Sequence, residues 1–257
     1  TVEALSGKFE NIGKQSPLSY IDDRIKEIPQ RQYRLNSVIH EYCNYTVEKQ
    51  DKSAILVARN NDRNELNSEI HNRLVEKGTL KNECLLTSVN QHGIESSNPY
   101  AIGEKVIFTK NDYKLKDTNG ETVGIKNGQL GKIIDIDGPK VTVQTNTNQN
   151  VIFDTREYKH FDYGYAMTTF KAQGITVDNA LIVHDSTQKN SNTRNKIYVD
   201  VSRAKKSVKI FTDNKEALVK QAKRFQQKIT SSTFTPSIAK GKERKTIHVS
   251  KEKSKEI

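Results

Sequence analysis

Cysteine is scarce in this sequence, which limits both disulfide and metal chemistry. Only two cysteines occur, Cys43 and Cys84, and neither lies in a CxxC or a Cys/His pattern. A zinc site of the usual four-ligand kind needs more such donors at fixed spacing, so the sequence predicts no metal ligands. Two isolated thiols are typical of a reducing compartment, and we therefore expect a cytoplasmic protein.

Long apolar runs and phosphate-loop signatures are also absent. No segment approaches the roughly 20 apolar residues of a membrane helix, and the polar N-terminus has no signal-peptide core. We therefore expect a soluble protein with no membrane partner. Neither the pattern G-x-x-x-x-G-K-[ST] nor an acidic pair at a strand end occurs, so nucleotide hydrolysis by this chain alone is not expected.

Basic side chains are in clear excess. The chain has 42 Lys and Arg residues against 31 Asp and Glu, a formal net charge of +11 and a pI near 9.4. Such a balance favours polyanionic partners, nucleic acid above all. A generally lysine-rich proteome would give a similar excess, so charge alone is weak support for DNA binding.

The first part of the chain has the pattern of an α/β domain. Apolar residues recur every three or four positions over residues 21–45 and predict a helix with a break at a proline. A short apolar run at residues 53–58 predicts a buried strand. A second helix is predicted over residues 60–76, with Asn60 or Asn61 as its N-cap.

Alternating apolar residues replace this pattern between Gly103 and Phe153. Four short runs separated by Asn-Gly and Asp-Gly pairs predict a small antiparallel barrel or meander. We therefore predict a discontinuous parallel-sheet domain, an inserted barrel and a basic disordered tail. Their bounds are residues 1–90 with 158–228, residues 95–155, and residues 229–257, respectively.

The stretch from Tyr165 to Arg203 carries the residues best suited to chemistry. Its first part, TTFKAQG, combines hydroxyl, ammonium and amide side chains with a glycine. These residues are Thr168, Thr169, Lys171, Gln173 and Gly174. Such groups suit contacts with phosphate. Apolar runs at 180–183 and 208–211 predict two buried parallel strands, and the simplest interpretation of the stretch is an α/β unit with polar loops.

Two short motifs favour a more specific interpretation. TTFKAQG resembles motif V of superfamily 1 DNA helicases (T-x-H-K-[SA]-Q-G), and YVDVSRA resembles their motif VI (Y-V-A-x-[ST]-R-A). The segments GEKVIFTKNDY and KNGQLGKIIDID are similar to the SH3-like insertion of conjugative relaxase-helicases. The resemblance extends over about residues 21–227 and is greatest to the helicase part of TraA/TraI-type conjugative relaxases, with RecD-like helicases next.

This resemblance implies an α/β fold: a RecA-like parallel-sheet motor domain of the P-loop NTPase type, lacking its own P-loop, with an inserted small SH3-like β-barrel. The implied activity is ATP-driven 5′-to-3′ translocation on single-stranded DNA. ATP and Mg²⁺ would be held mainly by a first RecA-like motor domain, or an N-terminal relaxase/helicase fragment, acting as partner. The chain would supply the second, C-terminal half.

The same resemblance assigns roles to individual residues. Arg203 is expected to act as the catalytic arginine on the γ-phosphate, with Gln173 and Gly174 beside the nucleotide. Arg31, in an Arg-Gln pair that opens a helix, is expected either to reach the nucleotide phosphates or to be an exposed cation. The expected DNA-binding residues are Thr168, Thr169, Lys171, Lys110 and Lys126.

Two residues depart from the family pattern. Phe170 occupies the usual position of histidine, and Asp200 that of a small residue. A carboxylate near phosphate is unfavourable unless it points away or pairs with Lys205 or Arg194. Because the first motor domain is also missing from the sequence, the alternative is a truncated or degenerate DNA-binding or interaction module without ATPase activity.

Overall fold

The computed structural model describes residues 23–90, 93–188 and 193–222. The strands are β1 Ile25–Glu27, β2 Ser53–Val57, β3 Lys81–Val89, β4 Glu95–Ile102, β5 Lys105–Phe108, β6 Leu130–Asp137, β7 Lys140–Thr145, β8 Asn150–Asp154, β9 Phe161–Tyr163, β10 Ala166–Thr168, β11 Val177–His184 and β12 Ala204–Thr212. The helices are α1 Arg31–Cys43, α2 Val47–Asp51, α3 Asn60–Glu76, α4 Arg194–Val201 and α5 Lys215–Ala222. All belong to one compact unit, residues 1–226, whereas the predicted tail at 229–257 lies outside the described residues.

A parallel sheet with helices on both faces confirms the α/β fold. Its strand order is β1-β12-β11-β2-β10, and every neighbouring pair is parallel. Ile55 and Val57 of β2 belong to the core cluster that contains α1 and α3, whereas Ala54 and Leu56 belong to the cluster of α4 and α5. Successive side chains of a strand point to opposite faces, so both faces are covered. Continuous apolar runs in β2 and β11 are the sequence signature of this arrangement.

The helix predicted over residues 21–45 is wrong in its first part. Residues 25–27 form strand β1, which pairs with Ile210–Thr212 of β12, and Ile28 N donates to the Thr212 carbonyl at 2.7 Å. Pro29 disfavours the α conformation of Ile28 before it, and the edge of β12 offers unpaired backbone groups. The helix therefore begins only at Arg31.

The helix predicted over residues 60–76 is confirmed as α3, but its cap is not. Arg59 occupies the N-cap position and makes no side-chain capping bond, so neither Asn60 nor Asn61 serves as cap. Helix α3 ends before Gly78, which has φ of 68°. A residue without a Cβ adopts this left-handed backbone without strain.

A second sheet contains the predicted alternating strands. Strands β8-β7-β6-β5-β9 are hydrogen-bonded in this order and are antiparallel, and β3 and β4 form a separate two-stranded ribbon. Val106-Ile107-Phe108 thus lie in a different sheet from Ile55-Leu56-Val57, as predicted. The division into domains and the closure of an SH3-like barrel remain predictions.

The two sheets are joined through close packing of β5 against the parallel-sheet domain. The ammonium of Lys105, buried at the start of β5, donates to the carbonyls of Gln50, Asp51 and Ser53 at 3.1, 3.1 and 2.6 Å. A Cβ atom at Gly164 would lie 2.9 Å from the backbone of Val106, so only glycine allows this approach. Among the described residues, no helix is long and apolar enough to cross a membrane.

Candidate functional site

The two motif segments meet at the edge of the parallel sheet where β11 and β12 begin. Gln173 and Gly174 precede β11, and Arg203 immediately precedes β12. Because these strands are parallel neighbours, the loops before them lie side by side, and Val177 N donates to the Arg203 carbonyl at 2.9 Å. We call this the amino edge of the sheet.

Arg203 is held at the amino edge by hydrogen bonds to uncharged groups. Nε donates to the Val199 carbonyl at 3.1 Å, Nη1 to the Ile175 carbonyl at 3.4 Å and Nη2 to Ser202 Oγ at 3.1 Å. Among the described residues no carboxylate forms a salt bridge with this guanidinium. A guanidinium has five N–H groups, so one on each terminal nitrogen remains for a ligand.

The TTFKAQG segment leaves β10 at the opposite, carboxyl edge and returns to the amino edge. Thr169 N donates to the Val57 carbonyl and Ala172 N to the Thr168 carbonyl, both at 3.0 Å, so the segment begins with a helical turn. Ala172 is fully buried and anchors the turn. Gly174 has φ of 88°, a conformation that an L side chain rarely adopts, which explains the glycine that closes the segment.

Gln173 and Gly174 line an open cleft of about 440 Å³ between the two sheets. Opposite them lie two loops of the antiparallel sheet, residues 124–130 and 146–149. The lining residues are Gly124, Lys126, Asn127, Gly128, Gln129, Leu130, Asn146, Thr147, Gln149, Gln173, Gly174, Ile175 and Thr176. Among them only Lys126 is charged. The sequence did not anticipate this neighbourhood, because Lys126 and Gln173 come from elements that share no local pattern.

Lys110 lies elsewhere, just after β5. Its side chain is exposed, and its carbonyl accepts a hydrogen bond from Tyr158 Oη at 3.0 Å. Burial lowers the pKa of nearby His160, and the charge of Lys110 lowers it further. Lys110 is not among the residues that line the cleft, so Lys110 and Lys126, two of the three lysines expected to bind DNA, do not share one pocket.

Arg31 occupies the carboxyl edge, far from Arg203. Nε and Nη2 donate to Asp62 Oδ1 at 2.9 and 2.6 Å, and Nη2 also donates to Glu65 Oε2 at 2.7 Å. These carboxylates raise the pKa of the guanidinium, with Asp62 contributing most. Strand β12 has nine residues and separates the two edges by on the order of 25 Å at the usual rise per residue. One small phosphate group at Arg203 is therefore beyond the reach of Arg31 in this arrangement.

Asp200 pairs with neither Lys205 nor Arg194, the two partners that the sequence suggested. Its side chain points into the protein, where only 1% of the residue is exposed, and Oδ2 lies 3.5 Å from His184 Nε2. Burial raises the pKa of Asp200 to about 7, and the hydrogen bond from Thr169 offsets part of that effect. The carboxylate is thus withdrawn from the amino edge and connects α4 to the TTFKAQG segment.

A buried polar network outside the motifs joins the two sheets. His71 of α3 lies 2.7 Å through Nδ1 from Glu104 Oε2 and 3.0 Å through Nε2 from Glu83 Oε2, and Tyr165 Oη donates to Glu104 Oε1 at 2.5 Å. Burial raises the pKa of Glu104. Burial also opposes the charged form of His71, but its bonds to the two carboxylates raise the pKa overall. No periodicity in the sequence indicates this network.

Metal-binding side chains are not clustered in the described residues. Within residues 23–90, 93–188 and 193–222, no group of three or more His, Cys, Asp and Glu side chains is arranged to hold a metal. The groups gathered at the amino edge are instead a guanidinium, an amide, a bare glycine backbone and, across the cleft, an ammonium. These are groups that suit phosphate oxygens.

The known proteins that are similar to this chain include helicases and conjugal transfer proteins. A family model described as the viral superfamily 1 RNA helicase core domain matches residues 106–212. Probable conjugal transfer protein TraA of Sinorhizobium fredii (strain NBRC 101917 / NGR234) is 26% identical over 121 residues, which are 46% of this chain and 10% of that protein. Conjugal transfer protein TraA of Rhizobium radiobacter is 25% identical over 166 residues, or 63% of this chain and 14% of that protein. The chain thus spans only a small part of these relatives.

Solved structures of Pif1 helicases are also similar to this chain. The Candida albicans enzyme has a TM-score of 0.46 with 14% identity, covering 73% of this chain and 54% of the other. The Bacteroides enzyme in complex with ADP-AlF3 and single-stranded DNA has a TM-score of 0.43 with 17% identity, covering 74% and 51%. By the family-model match and the TraA matches, this chain is similar to superfamily 1 helicases, and TraA conjugal transfer proteins are among the proteins that it resembles.

Proposed function

We propose that this chain supplies the second motor half of an ATP-dependent DNA helicase that acts in conjugative DNA transfer with 5′-to-3′ polarity. The observation that carries the proposal is the meeting of the two motif segments at the amino edge. Arg203 reaches Ile175, two residues from Gln173, and Val177 bonds back to the Arg203 carbonyl. Side chains from two distant motifs thereby face the same exposed edge.

Arg203 is the proposed arginine finger. Its bonds to two backbone carbonyls and a hydroxyl orient the planar group without neutralising it. The remaining N–H groups are available to the γ-phosphate of a nucleotide whose other phosphates are held by a first motor domain. Positive charge placed where the transferring phosphoryl group develops negative charge is worth roughly 10³ to 10⁵ in rate. Gln173 and the backbone of Gly174 would contact the same nucleotide.

Single-stranded DNA is the proposed polyanionic ligand. Thr168, Thr169 and Lys171 form one side of its path, on a turn that is anchored to β2 through Val57. The antiparallel sheet, which we propose to be the inserted SH3-like barrel, would present Lys110 and Lys126 to the strand or to the nucleotide cleft.

The proposal requires a first motor domain that carries the phosphate loop and the Mg²⁺ site. That domain would belong either to another segment of a longer protein or to a separate chain. Arg31, paired with Asp62 and Glu65, is the residue whose proposed nucleotide role depends most on such a partner. Because on the order of 25 Å separates the carboxyl edge from the amino edge, contact of Arg31 with a nucleotide at Arg203 would need a rearrangement of the fold as well as the exchange of these carboxylates for phosphate. The cytoplasm remains the proposed location.

The test is reconstitution with a first motor domain from a TraA-type protein. ATP hydrolysis stimulated by single-stranded DNA should appear only when both halves are present. Arg203→Ala should reduce it by about 10³-fold or more while leaving DNA affinity within a few fold. Arg156→Ala is the matched control, because Arg156 is exposed and pairs with Asp154 on the antiparallel sheet. Equal hydrolysis without Arg203 would disprove the assignment. Absence of hydrolysis with every partner, together with retained DNA binding, would favour a binding module.

A further inference from the structure

Phe170 is unusually exposed for a residue in a well-anchored turn. The residue is 76% exposed, more than the other exposed large hydrophobic residues of the described chain. Its neighbours are nonetheless fixed, because Thr169 N bonds to the Val57 carbonyl and Ala172 is fully buried. The turn therefore holds the ring out in solvent rather than leaving it on a loose loop.

Packing within the described chain gives this ring no role. None of the aromatic pairs or cation–π contacts among the described residues includes Phe170. An exposed phenyl group forgoes the favourable free energy that burial of a side chain of this size provides. The position therefore offers a ligand a rigid aromatic face that costs little to order.

The charges around Phe170 indicate which ligand this face suits. Residues 163–177 contain no Asp or Glu, and Lys171 follows the ring directly. The side chains of Thr168 and Thr169 precede it and are partly exposed. An aromatic face flanked by an ammonium and hydroxyl groups is the combination with which proteins bind single strands: bases stack on the ring while the backbone meets the polar groups.

We propose that Phe170 stacks on an unpaired nucleobase of single-stranded DNA, with Lys171 and Thr168 on the flanking phosphates. The inference rests on the proposed DNA binding and adds a base contact to what was otherwise a set of phosphate contacts. It also gives the departure from histidine at this position a physical sense. Phenylalanine has no hydrogen-bonding group, so the contact would be tolerant of base identity.

The test uses the absence of tryptophan from the chain. Phe170→Trp creates a single tryptophan at the proposed contact. Its emission should be quenched by a 12-nucleotide oligothymidine but not by an oligonucleotide of equal length and charge with abasic sites. Phe170→Ala and Phe170→Leu should each weaken binding of the oligothymidine by about 5- to 150-fold, the usual value of one base–aromatic stack. Phe170→Tyr should bind as the wild type does.

Tyr33 provides the matched control, since it is 67% exposed at the start of α1. Tyr33→Ala should change affinity less than twofold, and Tyr33→Trp should not be quenched. If Phe170→Leu binds single-stranded DNA as tightly as the wild type does, the stacking contact is wrong and the DNA-binding function still stands. Failure of the wild type to bind any single strand would overturn both. A blue shift of the Phe170→Trp emission on adding a first motor domain without DNA would instead identify a protein contact and overturn the stacking contact.

Discussion

Arg203 donates from Nη1 to the backbone carbonyl of Ile175 at 3.4 Å, and through this contact the end of α4 is attached to the segment that closes on Gly174. The two residues are 28 positions apart in sequence. A movement of the TTFKAQG segment on binding a single strand would therefore shift the carbonyl to which Arg203 donates. This contact directly links the proposed DNA surface to the proposed nucleotide edge.

Replacement of Arg203 by lysine tests whether the planar fork matters. Lysine keeps the positive charge but cannot bond Ile175, Val199 and Ser202 while also presenting two N–H groups to a phosphate. Arg203→Lys should lower the turnover number of a reconstituted ATPase by about tenfold or more and leave single-strand affinity unchanged. Steady-state ATP hydrolysis at saturating DNA measures this effect. A lysine variant as active as the wild type would mean that charge alone suffices.

Lys171→Ala should weaken single-strand binding and reduce its dependence on salt. Each phosphate neutralised on a single strand contributes about 0.7 to the slope of log affinity against log salt concentration. Loss of one contact should lower the slope by about that amount, as measured by titration at several ionic strengths. Lys140→Ala is the control, since Lys140 is an exposed lysine at the start of β7. Equal effects of the two substitutions would show that Lys171 acts only through net charge.

Asp200→Asn should stabilise the protein at neutral and higher pH. The pKa of Asp200 is about 7 in the folded chain against an ordinary value of 3.8, so the folded state binds more protons between those values. The free energy of unfolding consequently falls as pH rises through that range. The advantage of the variant at pH 8 is bounded by roughly 4 kcal/mol and should vanish below about pH 4, where both states are protonated.

Urea unfolding of both proteins between pH 4 and 8 measures the difference. Asp178→Asn is an internal control of opposite sign, because the hydrogen bond from Lys206 lowers the pKa of Asp178. That carboxylate contributes stability above its unfolded pKa, which is lost as pH falls through its folded pKa. A stability difference for Asp200→Asn that does not vary with pH would contradict the burial of a titrating carboxyl.

His71→Ala should be among the most destabilising single substitutions in the described chain. It leaves Glu104 buried without its partner, and removal of one member of a buried ionic pair typically costs about 3 to 5 kcal/mol. A double-mutant cycle with Glu104→Ala should give a coupling free energy well above about 1 kcal/mol. The exposed pair Lys159–Glu95, with N···O of 2.8 Å, should give less than about 1 kcal/mol in the same cycle. Similar values for both pairs would contradict the buried network.

Local sequence patterns predicted much of the framework correctly. The apolar runs of β2 and β11, the helix α3 and the alternating strands of the antiparallel sheet all follow from the period of their side chains. The periodicity gave a wrong prediction at β1, whose residues have helical spacing, because tertiary pairing competes there with the local preference. There the open edge of β12 and the proline that follows outweigh the local preference.

For the site residues too, the sequence determined some features and the tertiary structure decided the others. The sequence by itself determined that Arg203 precedes a strand and that Gly174 closes a polar turn, because both follow from short-range patterns. Only the tertiary structure decided that Arg203 meets Ile175, that Lys126 faces Gln173 across a cleft and that Arg31 is held by Asp62 at the opposite edge. The burial of Asp200 in the core was likewise decided by the tertiary structure. Such contacts join residues distant in sequence, and they depend on strand order and on the balance of burial against charge pairing, neither of which a local pattern contains.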